Sequence, residues 1–125
     1  MVIQYKSKTM SDLDSLTKSV LDFRDKRDWK QFHNPKDSAI ALVSEAVEVL
    51  DELKWKKPQE IEEYLKSKKS KIGDELCDVL FWVLLMMHDL NIDINKQFKS
   101  KMDENNKKYP VEKVKGKHLK YTEYK

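Results

Sequence analysis

The chain has 125 residues, of which 38% are charged, and it contains only two glycines and three prolines. This length fits one domain, and the composition is typical of helical proteins rather than strand-rich or collagen-like ones. The net charge of +3 comes from 25 basic and 22 acidic residues spread along the sequence. Such a balance gives little support for binding a nucleic acid polymer and suits a small anionic ligand equally well.

Export and membrane insertion are both disfavoured by the sequence. Residues 1–10 lack the apolar core of a signal peptide. The longest apolar run, residues 79–87, has nine residues, whereas a membrane-spanning helix needs roughly 20. The single cysteine, Cys77, falls in an apolar stretch and has no internal partner, so we predict a packed, reduced thiol and a cytoplasmic location.

The first two predicted helices lie before residue 55. Helix one begins at Ser11 or Asp12, ends near Asp28, and carries an apolar stripe at helical spacing. Helix two covers residues 35–54 and is capped by Asn34, because proline disfavours a helical residue before it and is favoured at the first helical position. The stripe of helix one consists of Leu13, Leu16, Val20 and Phe23.

The next segment is predicted to contain two helices. A short helix covers residues 59–66 and starts at Pro58, the Lys-rich residues 67–71 form a solvated connection, and a long helix covers residues 71–90. Because the long helix is apolar on nearly all sides, it needs neighbours on all sides, which indicates a subunit interface. Gly73 is unfavourable inside a helix, so we expect a close approach or a frayed start there.

The last predicted helix covers residues 94–108. It is capped by the Asn91–Asp93 segment and stopped by Tyr109-Pro110. Residues 111–125 are basic and lack helical periodicity, so taken alone they predict a loose tail. The expected architecture is therefore an all-α, four-helix-bundle-like single domain over residues 1–125, with 111–125 as an extended C-terminal tail.

Two acidic pairs form the strongest functional signal. Glu45 and Glu48 are three residues apart, and Glu75 and Asp78 repeat this spacing after 26 intervening residues. On a helix each pair projects from one face. Either pair alone is more often a solvated surface, but both lie beside apolar stripes, where unpaired carboxylates are unfavourable. The sequence therefore predicts four carboxylates around one cation.

The ligand types indicate which cation this is. Zinc would need His or Cys, and none of His33, His88 and His118 follows these acids at the spacing of a di-iron motif. An all-oxygen site fits Mg²⁺, with Mn²⁺ as a substitute. Since Mg²⁺ commonly binds through one or two carboxylates plus substrate phosphates, the expected ligand is a phosphorylated metabolite.

Three tryptophans extend this prediction. Trp29 and Trp55 fall at helix ends, and Trp82 lies four residues after Asp78, on the same helical face. Core packing is the more common role of each one. Beside a phosphate site, however, aromatic faces are suited to stacking a base, which favours a nucleotide as the ligand.

The ordered set of motifs over residues 12–124 resembles the MazG-like, all-α nucleoside triphosphate pyrophosphohydrolases, and within them the dCTP pyrophosphatase branch. The acidic pairs resemble the metal motif of that family. Further similar segments follow in the same order: Arg27-Asp28-Trp29, Phe32-His33-x-Pro35, Trp55-Lys56, Asp78-Val79-Leu80, Lys101-Met102-Asp103-x-Asn105, Tyr109-Pro110-Val111 and Lys120-Tyr121-Thr122-Glu123.

The resemblance implies an activity and a set of roles. The activity is Mg²⁺-dependent cleavage of a nucleoside triphosphate between the α and β phosphates, which clears unwanted nucleotides from the pool. Glu45, Glu48, Glu75 and Asp78 would bind Mg²⁺ and one glutamate would help to deprotonate the attacking water. Trp29 and Trp55 would help to form the base pocket, with base selectivity resting on Trp82 and its neighbours. Lys101, Asn105, Tyr109, Lys120 and Tyr121 would contact the phosphates or sugar.

Two questions about assembly and substrate remain open at this level. The resemblance implies a homodimer, or a tetramer formed from two dimers, with each site assembled across chains. The favoured substrate is dCTP or an analogue. The alternatives are an enzyme of the same superfamily acting on dUTP or a non-standard purine triphosphate, and a non-catalytic helical module whose acids bind a metal or a basic partner.

Overall fold

The computed structural model describes residues 12–124, which form five α-helices and two short 3-10 helices without a strand. The all-α prediction is therefore confirmed. Three parts of the sequence analysis lie outside the described residues: the candidate cap Ser11, residues 1–10, for which no signal peptide is predicted, and the final residue. Two compact units divide the chain between Asn91 and Ile92. The α-helices are α1 (Asp12–Asp25), α2 (Pro35–Leu53), α3 (Pro58–Asp89), α4 (Ile94–Lys108) and α5 (Val111–Val114), and the 3-10 helices are Lys30–Phe32 and Tyr121–Glu123.

Side-chain caps begin two of these helices where the sequence predicts them. The Asn34 side chain accepts a hydrogen bond of 2.9 Å from the backbone N–H of Asp37, and Pro35 occupies the first turn of α2. The Asp93 side chain accepts one of 3.0 Å from the N–H of Lys96 at the start of α4. Each cap satisfies a backbone donor that the helix itself leaves unpaired.

Helix α1 ends three residues earlier than predicted, at Asp25. The turn that follows brings Asp28 to a φ of 52°, in the left-handed region, which Asp adopts more readily than most residues. A hydrogen bond of 3.2 Å from the Trp29 N–H to the Arg24 carbonyl closes this turn. The reversal directs the chain into the 3-10 helix and then into α2.

The prediction of a short helix, a solvated connection and a long helix between residues 58 and 90 was wrong. Residues Pro58–Asp89 form one helix of 32 residues. The Lys-rich residues 67–71 have no apolar periodicity, and this absence alone predicts a connection. Their side chains are exposed, and a solvated part of a helix needs no apolar stripe. Lys and Ser do not break helices, and extension of an existing helix is favourable once both flanking parts are helical.

The core of the first unit is small and centres on α3, which packs against α1 and α2. Its buried apolar side chains are Val20, Leu84 and Leu85. Arg24, only 2% exposed, joins α1 to the end of α3, because its Nη1 donates to both carboxylate oxygens of Asp89 at 3.0 and 2.7 Å. A buried charge is tolerated when it is paired in this way.

Two expectations about α3 are contradicted. Cys77 is exposed rather than packed. It lies on the same face of α3 as buried Leu84 but two turns earlier, so the small core of the first unit does not extend to it. Gly73 is neither at a frayed end nor at a close approach: it lies inside α3, and no heavy atom lies within 4 Å of where its Cβ would be.

The C-terminal segment is more ordered than its sequence suggests. Residues 111–114 form α5, and Gly116 has a φ of 78°, a conformation that favours glycine. The Leu119 N–H donates a hydrogen bond of 2.9 Å to the Tyr124 hydroxyl, which spans the second 3-10 helix. Local hydrogen bonds, rather than an apolar stripe, hold this segment, so periodicity could not reveal it. Among residues 12–124, none of the helices is long and apolar enough to cross a bilayer.

Candidate metal centre and aromatic pocket

Four carboxylates from two helices converge in the first unit. Glu45 and Glu48 project from α2, and Glu75 and Asp78 project from α3, so that one oxygen of each lies within 4.8 Å of the others. The i, i+3 spacing places each pair on one face of its helix, and the packing of α2 against α3 turns the two faces toward each other. We call these four residues the carboxylate cluster.

The charges of the carboxylate cluster disfavour one another. The pKa of Glu75 is raised above its ordinary value, chiefly by a hydrogen bond with Glu48, then by burial and by the neighbouring acids. The pKa of Glu45 is also raised, first by burial and then by the charges of Glu48 and Asp78, while a hydrogen bond from the Trp82 side chain acts in the opposite direction. Without a cation, the cluster therefore tends to retain protons.

One atom of the carboxylate cluster supports the binding of a cation there. The Oε2 atom of Glu75 is buried and has no hydrogen-bond partner. An unpaired buried acceptor is unfavourable, and a cation would satisfy it together with the three neighbouring carboxylates. Because all the donors are carboxylate oxygens, the set fits a hard divalent cation such as Mg²⁺ or Mn²⁺.

A pocket of about 430 Å³ opens beside the carboxylate cluster. Glu45 and Asp78 form part of its wall, so two of the four carboxylates face the space that a ligand would occupy. The remaining wall is mostly apolar and aromatic. It consists of Ser19, Val20, Phe23, Trp29, His33, Phe81 and Trp82.

The rings of this pocket contact one another edge to face. Phe81 lies between Phe23 and Trp82, with centroid distances of 5.8 and 5.4 Å, and Trp29 contacts Phe23 at 5.7 Å. Such T-shaped contacts are the favoured arrangement of aromatic pairs. They fix the ring planes and leave a preformed aromatic enclosure of the kind that receives a flat, uncharged ring.

His33 belongs to the same wall. Its ring contacts Trp82 at 5.2 Å between centroids. Burial lowers the pKa of His33, and the nearby Arg24 charge lowers it further. The imidazole is therefore neutral at physiological pH, so the pocket side of this residue adds polarity without adding a positive charge.

The structure separates the three tryptophans proposed for base binding. Trp29 and Trp82 both line the pocket. Trp55, which follows α2, is 85% exposed and is absent from the pocket wall. The first unit alone therefore brings two of these tryptophans together and leaves the third on its surface.

The predicted phosphate and sugar contacts all lie in the second unit. Lys101 and Asn105 are one turn apart on α4, and Tyr109 is the residue at its C-terminal end. The Tyr109 and Tyr121 rings contact each other at 6.3 Å, with the Lys108 ammonium 4.9 Å from the Tyr121 centroid. Their roles, and that of Lys120, stay predictions.

Comparison with known proteins places this geometry in a family. The model of the MazG-like family matches residues 40–124, a stretch that contains all four members of the carboxylate cluster. The chain belongs to the MazG-like family. The predicted resemblance and the predicted MazG-type fold are thereby confirmed.

Several relatives of this MazG-like chain carry names or structures. The dCTP pyrophosphatase 1 of Rattus norvegicus is 31% identical over 113 residues, which cover 89% of this chain and 66% of that protein. The dCTP pyrophosphatase 1 of Homo sapiens is 30% identical with the same coverage. The chain thus spans just under two thirds of the length of these relatives. A crystal structure of a pyrophosphatase from Archaeoglobus fulgidus has a TM-score of 0.76 and 29% identity, covering 85% of this chain and 99% of that one.

Sequence reasoning missed most of the pocket wall of this MazG-like chain. Val20 and Phe23 belong to the predicted apolar stripe of helix one, which by itself predicts packing rather than a pocket. Ser19, His33 and Phe81 were not assigned to any site. Phe81 could have been suspected from its position between Asp78, a predicted cation ligand, and Trp82, a predicted base contact. An apolar residue in an apolar helix, however, does not by itself distinguish a pocket from a core.

Proposed function

We propose that this MazG-like chain hydrolyses a (deoxy)nucleoside triphosphate between the α and β phosphates, releasing a nucleoside monophosphate and pyrophosphate. The observation that carries this proposal is the shared wall. Glu45 and Asp78 belong at once to the carboxylate cluster and to the aromatic pocket. A ligand held there has a site for a flat ring next to a site for a cation and phosphates.

The proposed cofactor is Mg²⁺, with Mn²⁺ as a substitute, held by Glu45, Glu48, Glu75 and Asp78. The cation would supply charge neutralisation for the triphosphate and a lowered pKa for an attacking water. The chain's own residues orient the reaction: the pocket rings hold the base, and one of the cluster glutamates accepts a proton from the water. The family resemblance supports Lys101, Asn105, Tyr109, Lys120 and Tyr121 as the residues that would contact the phosphates or sugar.

We propose dCTP or a close analogue as the substrate. The names of the relatives at about 30% identity support this choice. Apart from Glu45 and Asp78, the pocket wall is uncharged and mostly aromatic. This part of the wall fits an uncharged base better than a charged group, because a charge would lose its hydration there without gaining a partner. The same geometry accommodates other bases, so dUTP and non-standard purine triphosphates are the competing substrates. The work of such an enzyme would be to clear unwanted nucleotides in the cytoplasm.

We further propose that the active form is a homodimer, or a tetramer built from two dimers. Large apolar side chains of α2 and α3 remain exposed in the first unit. An apolar surface of this extent on a small domain is typical of an interface. Exposed Trp55 is then available to complete the pocket of a partner chain. The exposed apolar residues of the two helices include Ile40, Val43, Val47, Leu50, Leu76 and Leu80.

The decisive experiment measures pyrophosphate release from the canonical and modified triphosphates, with and without Mg²⁺. We expect Mg²⁺-dependent release, and we expect Asp78→Asn to reduce kcat/KM by about 100-fold or more, equivalent to roughly 2.7 kcal/mol of transition-state stabilisation. Asp74→Asn is the matched control, because Asp74 is a nearby exposed acid of α3 that is outside the carboxylate cluster.

Three results would each reject a part of the proposal. Full activity of the Asp78→Asn protein would contradict the four-carboxylate centre. Absence of pyrophosphate release from every triphosphate tested would favour the non-catalytic helical module. Preferential hydrolysis of dUTP or of a purine triphosphate would retain the reaction and change the substrate.

A further inference from the structure

A second cluster of side chains joins α2 to α3 next to the carboxylate cluster. Glu52 is its centre: Oε2 accepts a hydrogen bond from the Tyr64 hydroxyl, and Oε1 lies 2.8 Å from the Lys71 ammonium. Lys56 completes it, donating to the Glu52 carbonyl at 2.7 Å and lying 4.5 Å from the centroid of the Tyr64 ring. We call Glu52, Tyr64 and Lys71 the Glu52 clamp.

The position of the Glu52 clamp follows from helix geometry. Glu52 comes four residues after Glu48 on α2, and Lys71 comes four residues before Glu75 on α3. Residues four apart share one face of a helix. The clamp therefore connects the two helices one turn away from the carboxylate cluster on both of them, and the Glu75 charge acts on both Tyr64 and Lys71.

The clamp acts against a force that the cluster itself creates. When they are ionised, the four carboxylates repel one another across the interface between α2 and α3, because one oxygen of each lies within 4.8 Å of the others. The clamp places an attractive contact across the same interface. Its carboxylate is 19% exposed, whereas the lysine is 55% exposed, so the anion is the sheltered centre on which both donors converge. Because the two oxygens of this α2 carboxylate contact two side chains of α3, the clamp restricts the distance between the helices.

We propose that the Glu52 clamp is a positioning device, which holds α2 and α3 at the separation required by a divalent cation before the cation binds. The clamp residues do not themselves touch the cation or the nucleotide. This inference rests on the metal centre of the proposed function. It gives Tyr64 and Lys71 a role in cation binding, whereas an ordinary ion pair on the protein surface would have none.

For Lys71→Met, a positioning role and simple electrostatics predict opposite changes in cation affinity. Lys71 carries a positive charge near the cluster, so on electrostatic grounds alone its removal strengthens cation binding. If the clamp sets the separation of the helices, removal of Lys71 weakens cation binding instead. Tyr64→Phe provides the neutral comparison, because it removes one hydrogen bond and changes no charge.

The test is calorimetric titration of the full chain with MnCl₂ or MgCl₂ in the absence of nucleotide. We expect the dissociation constant to rise by about 3- to 10-fold in Tyr64→Phe and in Lys71→Met. This is less than the roughly 10- to 100-fold typical of residues that hydrogen-bond metal ligands directly, because the clamp acts through the separation of the helices. Lys66→Met is the matched control. It removes a lysine of the same helix whose 2.9 Å partner, Glu63, lies on α3 itself. Circular dichroism establishes that each variant is folded, and Tyr64→Phe is the mildest of the set.

Each outcome of the titration separates the possibilities. Weaker binding by both clamp variants, with Lys66→Met unchanged, supports positioning. Tighter binding by Lys71→Met, or wild-type affinity in both clamp variants, overturns it and leaves the metal centre intact. If the wild-type chain binds neither cation, the metal centre of the proposed function fails and the clamp fails with it. A raised KM for the nucleotide at saturating Mg²⁺, without a change in cation affinity, would make Lys71 a phosphate ligand and also overturn the proposal.

Discussion

Glu45 combines two environments in one side chain. It belongs to the carboxylate cluster and to the wall of the aromatic pocket, and it accepts a hydrogen bond from Trp82. Burial is the main reason that its pKa is raised. Because Glu45 and Trp82 line the same pocket, cation binding changes the charge close to the Trp82 ring, so the fluorescence of Trp82 can serve as a reporter of cation binding.

Protonation of the carboxylate cluster predicts a specific effect of pH on stability. The pKa values of Glu45 and Glu75 are raised above 4.5, so the folded state without metal holds protons more tightly than the unfolded chain. Its stability therefore decreases as pH rises from 4.5 through the raised pKa values. A divalent cation competes with these protons, so the stabilisation produced by Mg²⁺ should grow with pH.

Thermal unfolding with and without Mg²⁺, between about pH 5 and about pH 8, measures this effect as a difference in Tm. The lowered pKa of His33 affects both samples equally and cancels in the difference. In Glu75→Gln the Tm difference produced by Mg²⁺ should increase less with pH than in the wild-type chain. A Tm difference that is constant with pH would contradict competition between protons and the cation.

The Arg24–Asp89 pair gives a second prediction for single residues. In Asp89→Asn the Arg24 guanidinium stays buried and keeps only the more distant Asp25 carboxylate, 3.8 Å from its Nε. We expect the free energy of unfolding to fall by about 3 kcal/mol, because the buried charge loses its shorter ion pair. Urea unfolding measures the change. Asp22→Asn, which breaks an exposed pair with Lys18 on α1, is the control and should change stability little.

At the scale of elements, the main feature is the continuity of α3. One helix of 32 residues, about 48 Å long at 1.5 Å per residue, carries Tyr64 and Lys71 of the clamp and Glu75 and Asp78 of the cluster. These groups therefore occupy fixed positions on a single rigid element. With a flexible connection at residues 67–71, the clamp and the cluster could not act on each other.

A proline substitution tests this continuity. Ser67 is exposed within α3, so Ser67→Pro should lower the free energy of unfolding by about 3 kcal/mol, since proline removes a helical hydrogen bond and clashes with the preceding turn. Ser67→Ala removes the same hydroxyl and should be neutral or slightly stabilising. Equal stability of the two variants in chemical denaturation would indicate that the segment is a connection after all.

Prediction from sequence succeeded where a local rule determined the structure. The caps at Asn34 and Asp93 follow from side-chain chemistry, and the two acidic pairs follow from helical spacing beside apolar residues. It failed for α3 because a solvated helix carries no apolar signal. It also failed for Ser19, Phe23 and Phe81, because an apolar stripe looks the same whether it faces a core or a cavity. The contacts of Glu52 with Tyr64 and Lys71 depend on tertiary packing, which no local pattern reports.

At the scale of the molecule, the described chain buries very little apolar surface. Val20, Leu84 and Leu85 are its only buried apolar side chains among residues 12–124, whereas α2 exposes a stripe that includes Val43, 63% exposed. Small domains are marginally stable when so little surface is buried. Association of two chains through this stripe would supply the missing burial.

Replacement of one stripe residue tests the assembly. We expect Val43→Asp to shift the chain toward monomers in sedimentation velocity, because a charge at the centre of an apolar interface loses its hydration without a partner. Lys18→Ala is the control: it changes the net charge by the same amount at an exposed side chain of α1, outside the stripe on α2. A wild-type chain that sediments as a stable monomer would contradict the proposed assembly directly.

The division of the pocket wall among the helices has a consequence for how such a protein can change over generations. Helix α1 supplies Ser19, Val20 and Phe23 to the pocket but none of the four carboxylates. Mutations on α1 can therefore alter which ring is accepted while the cation ligands on α2 and α3 stay unchanged. New nucleotide preferences can arise on this scaffold through single substitutions in one helix, with the hydrolytic chemistry inherited intact.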